Sequence, residues 1–499
     1  MKRVNVLRWA VAALLLLTAT ATFLGQRSLD PLPAGASAEQ VSEHMDAVLE
    51  AAMQRYSIAG VSAGVIREGE VIWRAREGQR SGDGRPVTDN TAYNLGSISK
   101  PLAVWTVLSL AQQRQIDLDA PVSRYLVRYT PSYGAFDPDT VTVRRLLQHT
   151  AGTNLVGYGG YGAHEDQPED AVELSERFAP ITVVREPGTA RRYSGGGYVL
   201  LQILVEDVTG EAFDEVARRQ VLDPLGMTDS GFSPNALAQV SEAFNYYRQP
   251  IESLRDVALT AAGGYASGAD IERFLLAHRD GGGVLNPASL EAAFAPTGPS
   301  PAFAMSYTRW ETPDGVLLGH GGNNSTWHGQ IYIRPQTGDG FYFLTNATSG
   351  AQLDIDLSCA WLTSMGTDEG TAKCAESQGL ARQLGWFSWG FGALSLLGLY
   401  WLMAGIMKRR RVLSLRPCGR GPLRLTGRLL GFVLASAASL FSAWLFWTNS
   451  VIWRTQTIMI DEIPLDELEG LSVTVTALFV VLAICLWSSP VRDEKEHAG

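Results

Sequence analysis

The sequence predicts an α/β domain, one antiparallel sheet flanked by helices plus a helical lobe, followed by transmembrane helices. Three observations carry this expectation. Strand-like alternation clusters at both ends of residues 31–379, helical spacing fills much of the interval between, and three long uncharged apolar stretches follow residue 383.

At the start of the chain, Lys2, Arg3 and Arg8 flank an apolar run over residues 9–24, so residues 1–27 read as a signal peptide or an N-terminal membrane anchor. Residues 38–56 carry apolar side chains at helical spacing (Val41, Met45, Val48, Leu49, Met53). Residues 60–67 and 70–77 alternate around Gly69 and predict a hairpin. A buried helix is expected from Ser97 to Leu110, because Pro101 is tolerated in a first turn. The interval 118–254 reads as mostly helical, with Gly/Pro/Asp-rich connections such as 157–170. Strands are expected again at 303–310, 316–319, 326–334 and 340–344, and a helix at 352–365 closes the domain. Strands at both ends of the domain imply one sheet built from both. The helical insertion then forms a second lobe, and the interlobe cleft is the default place for a site.

Residues 384–407, 429–447 and 471–487 each have the length and lack of charge of a spanning helix. The loop 408–428 holds Lys408 and seven arginines and is expected in the cytoplasm. The loop 448–470 carries Asp461, Glu462, Asp466, Glu467 and Glu469 and is expected to face outward, which makes 488–499 a cytoplasmic tail. This topology puts residues 31–379 on the extracytoplasmic, periplasmic side of the inner membrane, as the N-terminal segment independently requires. The net charge of −10 mixes compartments and identifies no partner. The exported part has no Lys/Arg cluster, which argues against nucleic acid. Cys359 and Cys374, fifteen residues apart, are placed to pair in an oxidising compartment, whereas Cys418 and Cys485 are not. No Cys/His spacing resembles a zinc site, and neither a metal nor a cofactor is expected.

The chemistry centres on Ser97-Ile98-Ser99-Lys100. The chain has only five lysines (Lys2, Lys100, Lys373, Lys408, Lys495) among 41 basic residues. Arginine cannot serve as a base, whereas a desolvated lysine amine can lose its proton and accept another. Residues three apart share a helix face, so Lys100 reaches the Ser97 hydroxyl if the helix begins there. Ser97 would then occupy a helix end that favours negative charge. A second serine, in Gly60-Val61-Ser62-Ala63-Gly64, matches the nucleophile-elbow pattern, but the sequence runs on into another strand and Ser62 reads as an ordinary strand residue. Two further clusters stand out. Arg192-Tyr193-Ser194-Gly195-Gly196-Gly197 joins a tyrosine able to relay a proton to a glycine-rich turn. Gly319-His320-Gly321-Gly322-Asn323-Asn324 lies between two strand candidates, where a glycine-rich edge can offer backbone N–H groups to an oxyanion.

Taken in order, Ser97-x-x-Lys100, Tyr193-Ser194-Gly195 and His320-Gly321-Gly322 resemble the three motifs of the serine penicillin-recognising enzymes, and most nearly the class C beta-lactamase-related family. That family includes beta-lactamases, D-Ala-D-Ala carboxypeptidases, D-aminopeptidases and esterases. Two more segments resemble it: Leu146-Leu147-Gln148-His149-Thr150-Ala151-Gly152, and Ala262-Gly263-Gly264-Tyr265-Ala266-Ser267 with Asp270. The resemblance covers residues 38–362 and implies a beta-lactamase/transpeptidase-like fold. It implies Ser97 as the acylated nucleophile, Lys100 as its activating amine and Tyr193 as the proton relay. It also implies an oxyanion site made by the amides of Ser97 and Asn323, with Gly195, His320, Gly321 and Gly322 along the substrate. His149, Thr150 and Gly152 read as structural. Two departures bear on substrate: Gly195 replaces the asparagine that commonly holds a substrate amide, and Gly321 replaces a threonine hydroxyl. Both losses should weaken amide and lactam turnover more than reaction with an activated ester. The expectation is therefore a membrane-anchored serine hydrolase of D-amino-acid peptides, beta-lactams or esters. The alternatives are a carboxylesterase with little peptidase activity and a noncatalytic ligand-binding sensor.

Overall fold

The computed structural model of the protein describes residue 32, residues 35–154, 160–162, 164–324 and 326–365, and short pieces at 404, 411–413 and 488–490. Helix α1 (Ala38–Arg55) opens with a reciprocal cap: Ser37 Oγ accepts the Gln40 N–H, and the Gln40 side chain accepts the Ser37 N–H. It buries Val41, Met45, Leu49 and Ala52 along one stripe. Strands β1 (Gly60–Arg67) and β2 (Glu70–Gly78) form the expected hairpin. Both turn residues are left-handed (Glu68 φ 53°, Gly69 φ +85°), as the twist of a two-residue hairpin demands.

Strand β3 (Ala92–Asn94) leads through a single 3-10 turn (Gly96–Ile98) into helix α2 (Ser99–Gln112). The α-helix thus begins two residues later than expected, with Ser97 in the preceding turn. From Ser99 to Leu110 every residue of α2 is buried, which marks a central helix wrapped on all sides. Helices α3 (Val143–Leu147), α4 (Gly195–Thr209), α5 (Leu259–Ala262) and α6 (Gly268–Ala277) pack around it, and β4 (Tyr265–Ser267), just before α6, pairs with β3.

The remaining strands are β5 (Thr308–Thr312), β6 (Gly315–Asn324), β7 (Trp327–Arg334) and β8 (Asp339–Thr345), and helix α7 (Cys359–Ser364) follows. The sheet order is β2-β1-β8-β7-β6-β5, antiparallel throughout, so β1 from one end of the domain lies beside β8 from the other (Val61 opposite Thr345). The two faces of β1 serve different cores. Val61, Ala63 and Val65 join α1 and Trp361 in one apolar cluster. Ile66 and, two strands away, Ile331 and Ile333 join the larger cluster around α2 and α4. Ser62 is fully buried in the strand and donates to Tyr93 OH (3.3 Å), an ordinary strand residue as expected.

Two expectations need correction. The interval 118–254 is less helical than its pattern implied: apart from α3 and α4, helix is confined to 171–178, 213–222 and single turns. Apolar residues such as Tyr129, Val141, Ile181 and Val183 are buried by loops folded onto the core, so burial there follows no helical period. The strand expected at 303–310 begins only at Thr308. Ala304, Met305 and Tyr307 are buried in a turn in which Ser306 is left-handed (φ 68°), and that burial mimics strand alternation.

The N-terminal apolar run, the expected spans at 384–407 (residue 404 apart), 429–447 and 471–487, and Cys374, Cys418 and Cys485 lie outside the described residues. Among the described residues, no helix is long and apolar enough to cross a membrane. Residues Arg411–Leu413 pair antiparallel with Ser488–Pro490.

Candidate active site

The turn carrying Ser97 is pinned from three directions. Gly96, at φ +48°, donates its N–H to Asn94 Oδ1 (2.8 Å) and its carbonyl accepts Ser99 Oγ (2.6 Å). The same Ser99 hydroxyl accepts the Gly264 N–H (2.8 Å), so the Ala262-Gly263-Gly264 segment is tied to the turn. The third direction is β6. A methyl group at Gly322 would sit 2.0 Å from Leu95 O, and one at Gly96 would sit 2.9 Å from the Asn323 nitrogen. Only glycines let the two backbones lie this close. Ser97 and Asn323, the residues whose amides the family resemblance pairs, thus flank a direct contact between the turn and the strand.

Lys100 is 1 % exposed, and its Nζ donates to Ser97 Oγ (3.1 Å) and to the Ala261 carbonyl of α5 (2.7 Å). Among the described residues no carboxylate is bonded to it, and the amine faces the hydroxyl. The Tyr193 ring lies 4.8 Å from Nζ and the Tyr198 ring 5.6 Å, forming an aromatic wall beside the amine. The Tyr193 backbone is set by its successor. Ser194 caps α4 by accepting the Gly197 N–H (3.0 Å), donates to Asn154 O (2.6 Å), and gives its own N–H to His149 Nδ1 (3.1 Å). Gly195 opens α4 and is buried, with no side chain to offer a ligand.

His149 stands behind Tyr193, its ring 4.5 Å away and left-handed at φ 58°. Burial, then the charges of Lys100 and Arg191, hold its pKa well below the usual imidazole value, so it is neutral. As Nδ1 accepts, the proton rides on Nε2, which is buried with no hydrogen-bond partner among the described residues. Gly152, at φ +74°, has no room for a side chain beside Arg185 O. The structural expectation for this segment therefore has a definite form: it supports the tyrosine.

His320 lies on β6 with its ring 6.3 Å from Tyr193. Its Nδ1 donates to the Gly321 carbonyl (2.7 Å), and burial followed by the Lys100 charge lowers its pKa to about 3. A neutral imidazole therefore occupies this wall. Residues 320–324 continue the strand expected at 316–319 as part of β6, the glycine-rich edge that the sequence anticipated. β5 pairs with β6 only from Gly315 to Gly319, so from His320 onward that side of the strand has no partner and faces the turn of Ser97. Gly321 is exposed and Gly322 buried.

Four residues were given no role in the sequence. Arg191 stacks on Phe303 (3.6 Å) with its guanidinium 5.7 Å from the Tyr193 ring, and no carboxylate pairs with it among the described residues. Beneath the turn, Asp256 Oδ2 accepts from Asn94 Nδ2 (3.1 Å) and Asn324 Nδ2 (2.9 Å), while Oδ1 is buried without a partner. Burial raises the Asp256 pKa to about 7 against the two amide donors that lower it. Asn324 closed the glycine-rich cluster and Asn94 lay three residues before Ser97, whereas Asp256 sits in a stretch with no motif at all.

The geometry has counterparts among known proteins. The esterase EstB of Burkholderia gladioli is 32% identical over 216 residues, covering 41% of this chain and 55% of that protein. Penicillin-binding protein 4 of Amycolatopsis lactamdurans is 25% identical over 252 residues, covering 48% of this chain and 64% of that one. Matched segments thus span little more than half the length of these relatives. The fold resembles that of EstCE1, a hydrolase with promiscuous acyltransferase activity (TM-score 0.56, 21% identity, 66% of this chain and 99% of that one). It also resembles a class C beta-lactamase (TM-score 0.52, 19% identity, 63% and 93%). A profile of the family described as Beta-lactamase matches residues 45–358, and the chain belongs to that family.

Proposed function

We propose that this protein is a serine hydrolase that acylates Ser97 and favours esters over amides. The observation that carries the reading is the buried Lys100 amine on the Ser97 hydroxyl, in a turn pressed against the Asn323 backbone. As the free amine, Lys100 accepts the hydroxyl proton while Oγ bonds to the substrate carbonyl carbon. The negative charge passes to the carbonyl oxygen, between the N–H groups of Ser97 and Asn323. Collapse expels the leaving group, which takes a proton relayed through Tyr193. Water then attacks the acyl carbon and gives up a proton through Tyr193 and Lys100 to Oγ as the acyl–Oγ bond breaks, releasing the acid.

Ester preference rests on two bare positions, one beside Tyr193 and one on β6. Gly195 and Gly321 offer no side-chain donor or acceptor to orient an amide, and the His320 imidazole is neutral. An amide needs such orientation and leaving-group protonation more than an activated ester does. EstB, a relative named as an esterase, points the same way.

The test is to incubate the whole chain with a labelled beta-lactam, a nitrophenyl ester and a D-Ala-D-Ala peptide and to map mass adducts. Ester turnover through a transient Ser97 adduct, with slower peptide and lactam turnover, is the expected result. An adduct that never clears would select a sensor, and peptide turnover matching ester turnover would make the protein a carboxypeptidase.

We further propose that the hydrolase domain is anchored on the extracytoplasmic face of the inner membrane by three C-terminal spans. Cys359 is disulfide-bonded, which fits an oxidising compartment. The pairing of 411–413 with 488–490 fits a basic loop and a tail on one side of the bilayer. Thiol labelling of single cysteines from outside should reach position 462 and spare position 420; the reverse pattern would overturn the topology.

A further inference from the structure

We propose that Asp256 is a positioning residue that keeps the Ser97 and Asn323 amides in register by accepting one hydrogen bond from each of the segments that carry them. The inference rests on the hydrolase reading and concerns how its oxyanion site is held.

Ser97 and Asn323 belong to elements far apart in sequence, a turn after β3 and the end of β6. Each has an asparagine close by. Asn94 lies three residues before Ser97 and supports its turn directly, since Asn94 Oδ1 accepts the Gly96 N–H (2.8 Å). Asn324 immediately follows Asn323. The two side chains meet, with Asn324 Nδ2 donating to Asn94 Oδ1 (3.2 Å), and both amides also donate to the single oxygen Asp256 Oδ2 (3.1 and 2.9 Å). A carboxyl oxygen has two lone pairs, so it can bind two donors at once and fix the distance between them. All three side chains are nearly inaccessible: Asn94 is 3 % exposed, Asn324 6 % and Asp256 9 %.

Asp256 also heads the segment leading to Ala261, whose carbonyl holds the Lys100 amine. One carboxyl group therefore ties together the three chain segments on which nucleophile, oxyanion donors and base ride. Residues 160–162 lie beside it. Tyr161 bridges to Arg255, and Gly160, at φ +70°, comes so near that a methyl group there would lie 3.5 Å from Asp256 Oδ1. No cation pairs with Asp256 among the described residues, so the carboxyl group occupies a costly position that two side-chain amides only partly offset. A residue needed only for packing would be better served by an apolar side chain of similar size.

Oxyanion donors stabilise the transition state more than the ground state, so loosening them lowers kcat and spares KM. In whole chain purified in detergent and assayed with a nitrophenyl ester, Asp256→Ala should lower kcat about tenfold or more with KM within about twofold. Asp256→Asn should stay within about threefold of wild type, because its amide oxygen accepts the same two bonds. Should Asp256→Ala fail to melt cooperatively, Asn94→Ala and Asn324→Ala take its place. Each should lower kcat alone, and the double variant should lose little more than either single one, since both act through one carboxyl group. Unchanged kcat in the folded variants, a loss confined to KM, or full additivity of the asparagine pair would overturn the inference while wild-type turnover persists. Absence of both turnover and a Ser97 adduct in the wild-type chain would remove the hydrolase reading, and this inference with it.

Discussion

The two walls of the crevice are built on opposite plans. The Ser97 wall is dense with side-chain chemistry: an amine on a hydroxyl, two tyrosine rings, a histidine supporting one of them, and a serine cap. The β6 wall is nearly bare, with glycines at 319, 321 and 322 and an imidazole held neutral. Covalent chemistry needs particular atoms at particular distances, and the first wall supplies them. Substrate selection needs contacts, and the second wall offers mainly backbone for them. Under the proposed function, acyl transfer and substrate preference would be carried by different elements and should be separable by substitution.

The sharpest break is at Lys100. Lys100→Arg keeps the charge but removes any base, so Ser97 adduct formation should fall about 10³-fold in a stopped time course read by mass spectrometry. Retention of most acylation would take the amine out of the mechanism.

Next in size is a contrast within β6 itself. Gly322→Ala forces a methyl group into the Leu95 carbonyl and should separate the strand from the turn, lowering kcat about 100-fold and depressing Tm. Gly321→Ala meets only the flexible Gln330 side chain and should change kcat less than about threefold. Equal losses would mean that the strand does not act through its contact with the turn.

A smaller effect would sharpen the specificity argument. Gly321→Thr restores a hydroxyl to the bare wall and should raise the ratio of peptide or lactam turnover to ester turnover about tenfold, read from paired kcat/KM values. No change in that ratio would move substrate selection to the rim.

The smallest effect is on stability. Asp256 has a folded pKa raised to about 7, above the ordinary carboxylate range, so between about pH 4 and 7 the folded state binds more protons than the unfolded one. Its contribution is fully present at low pH and is lost as pH rises through 7. In thermal melts, the Tm of Asp256→Asn relative to wild type should therefore rise from pH 5 to pH 8. His320 has the opposite sign. With its folded pKa lowered to about 3, it weakens the fold as pH falls from 6.5, and His320→Gln should relieve part of that loss. Flat differences across pH would show that neither group titrates as its surroundings imply.

Much of the local structure was legible because it obeys short-range rules. The capped amphipathic helix α1, the Glu68-Gly69 hairpin and the i, i+3 reach of Lys100 to Ser97 depend on neighbours in sequence. The strand at 303–310 and the helical content of 118–254 were misread because alternation and apolar spacing report burial, and in both places loops achieve the burial. The glycine run 319–324 was legible as a strand edge, but not that its glycines let the strand press against a turn more than 200 residues away.

The sequence by itself determined which groups could react: one lysine where arginine is the rule, a serine three residues before it, a tyrosine and a glycine-rich strand, in an order shared with a known family. Only the tertiary structure decided how these groups are held. It set Asp256 beneath two asparagines 230 residues apart, made His149 the support of Tyr193, and left the His320 wall uncharged. Reactivity belongs to side-chain types and local spacing, which a sequence displays. Register between distant backbones, and the dielectric around each group, arise only when the chain folds and water is excluded.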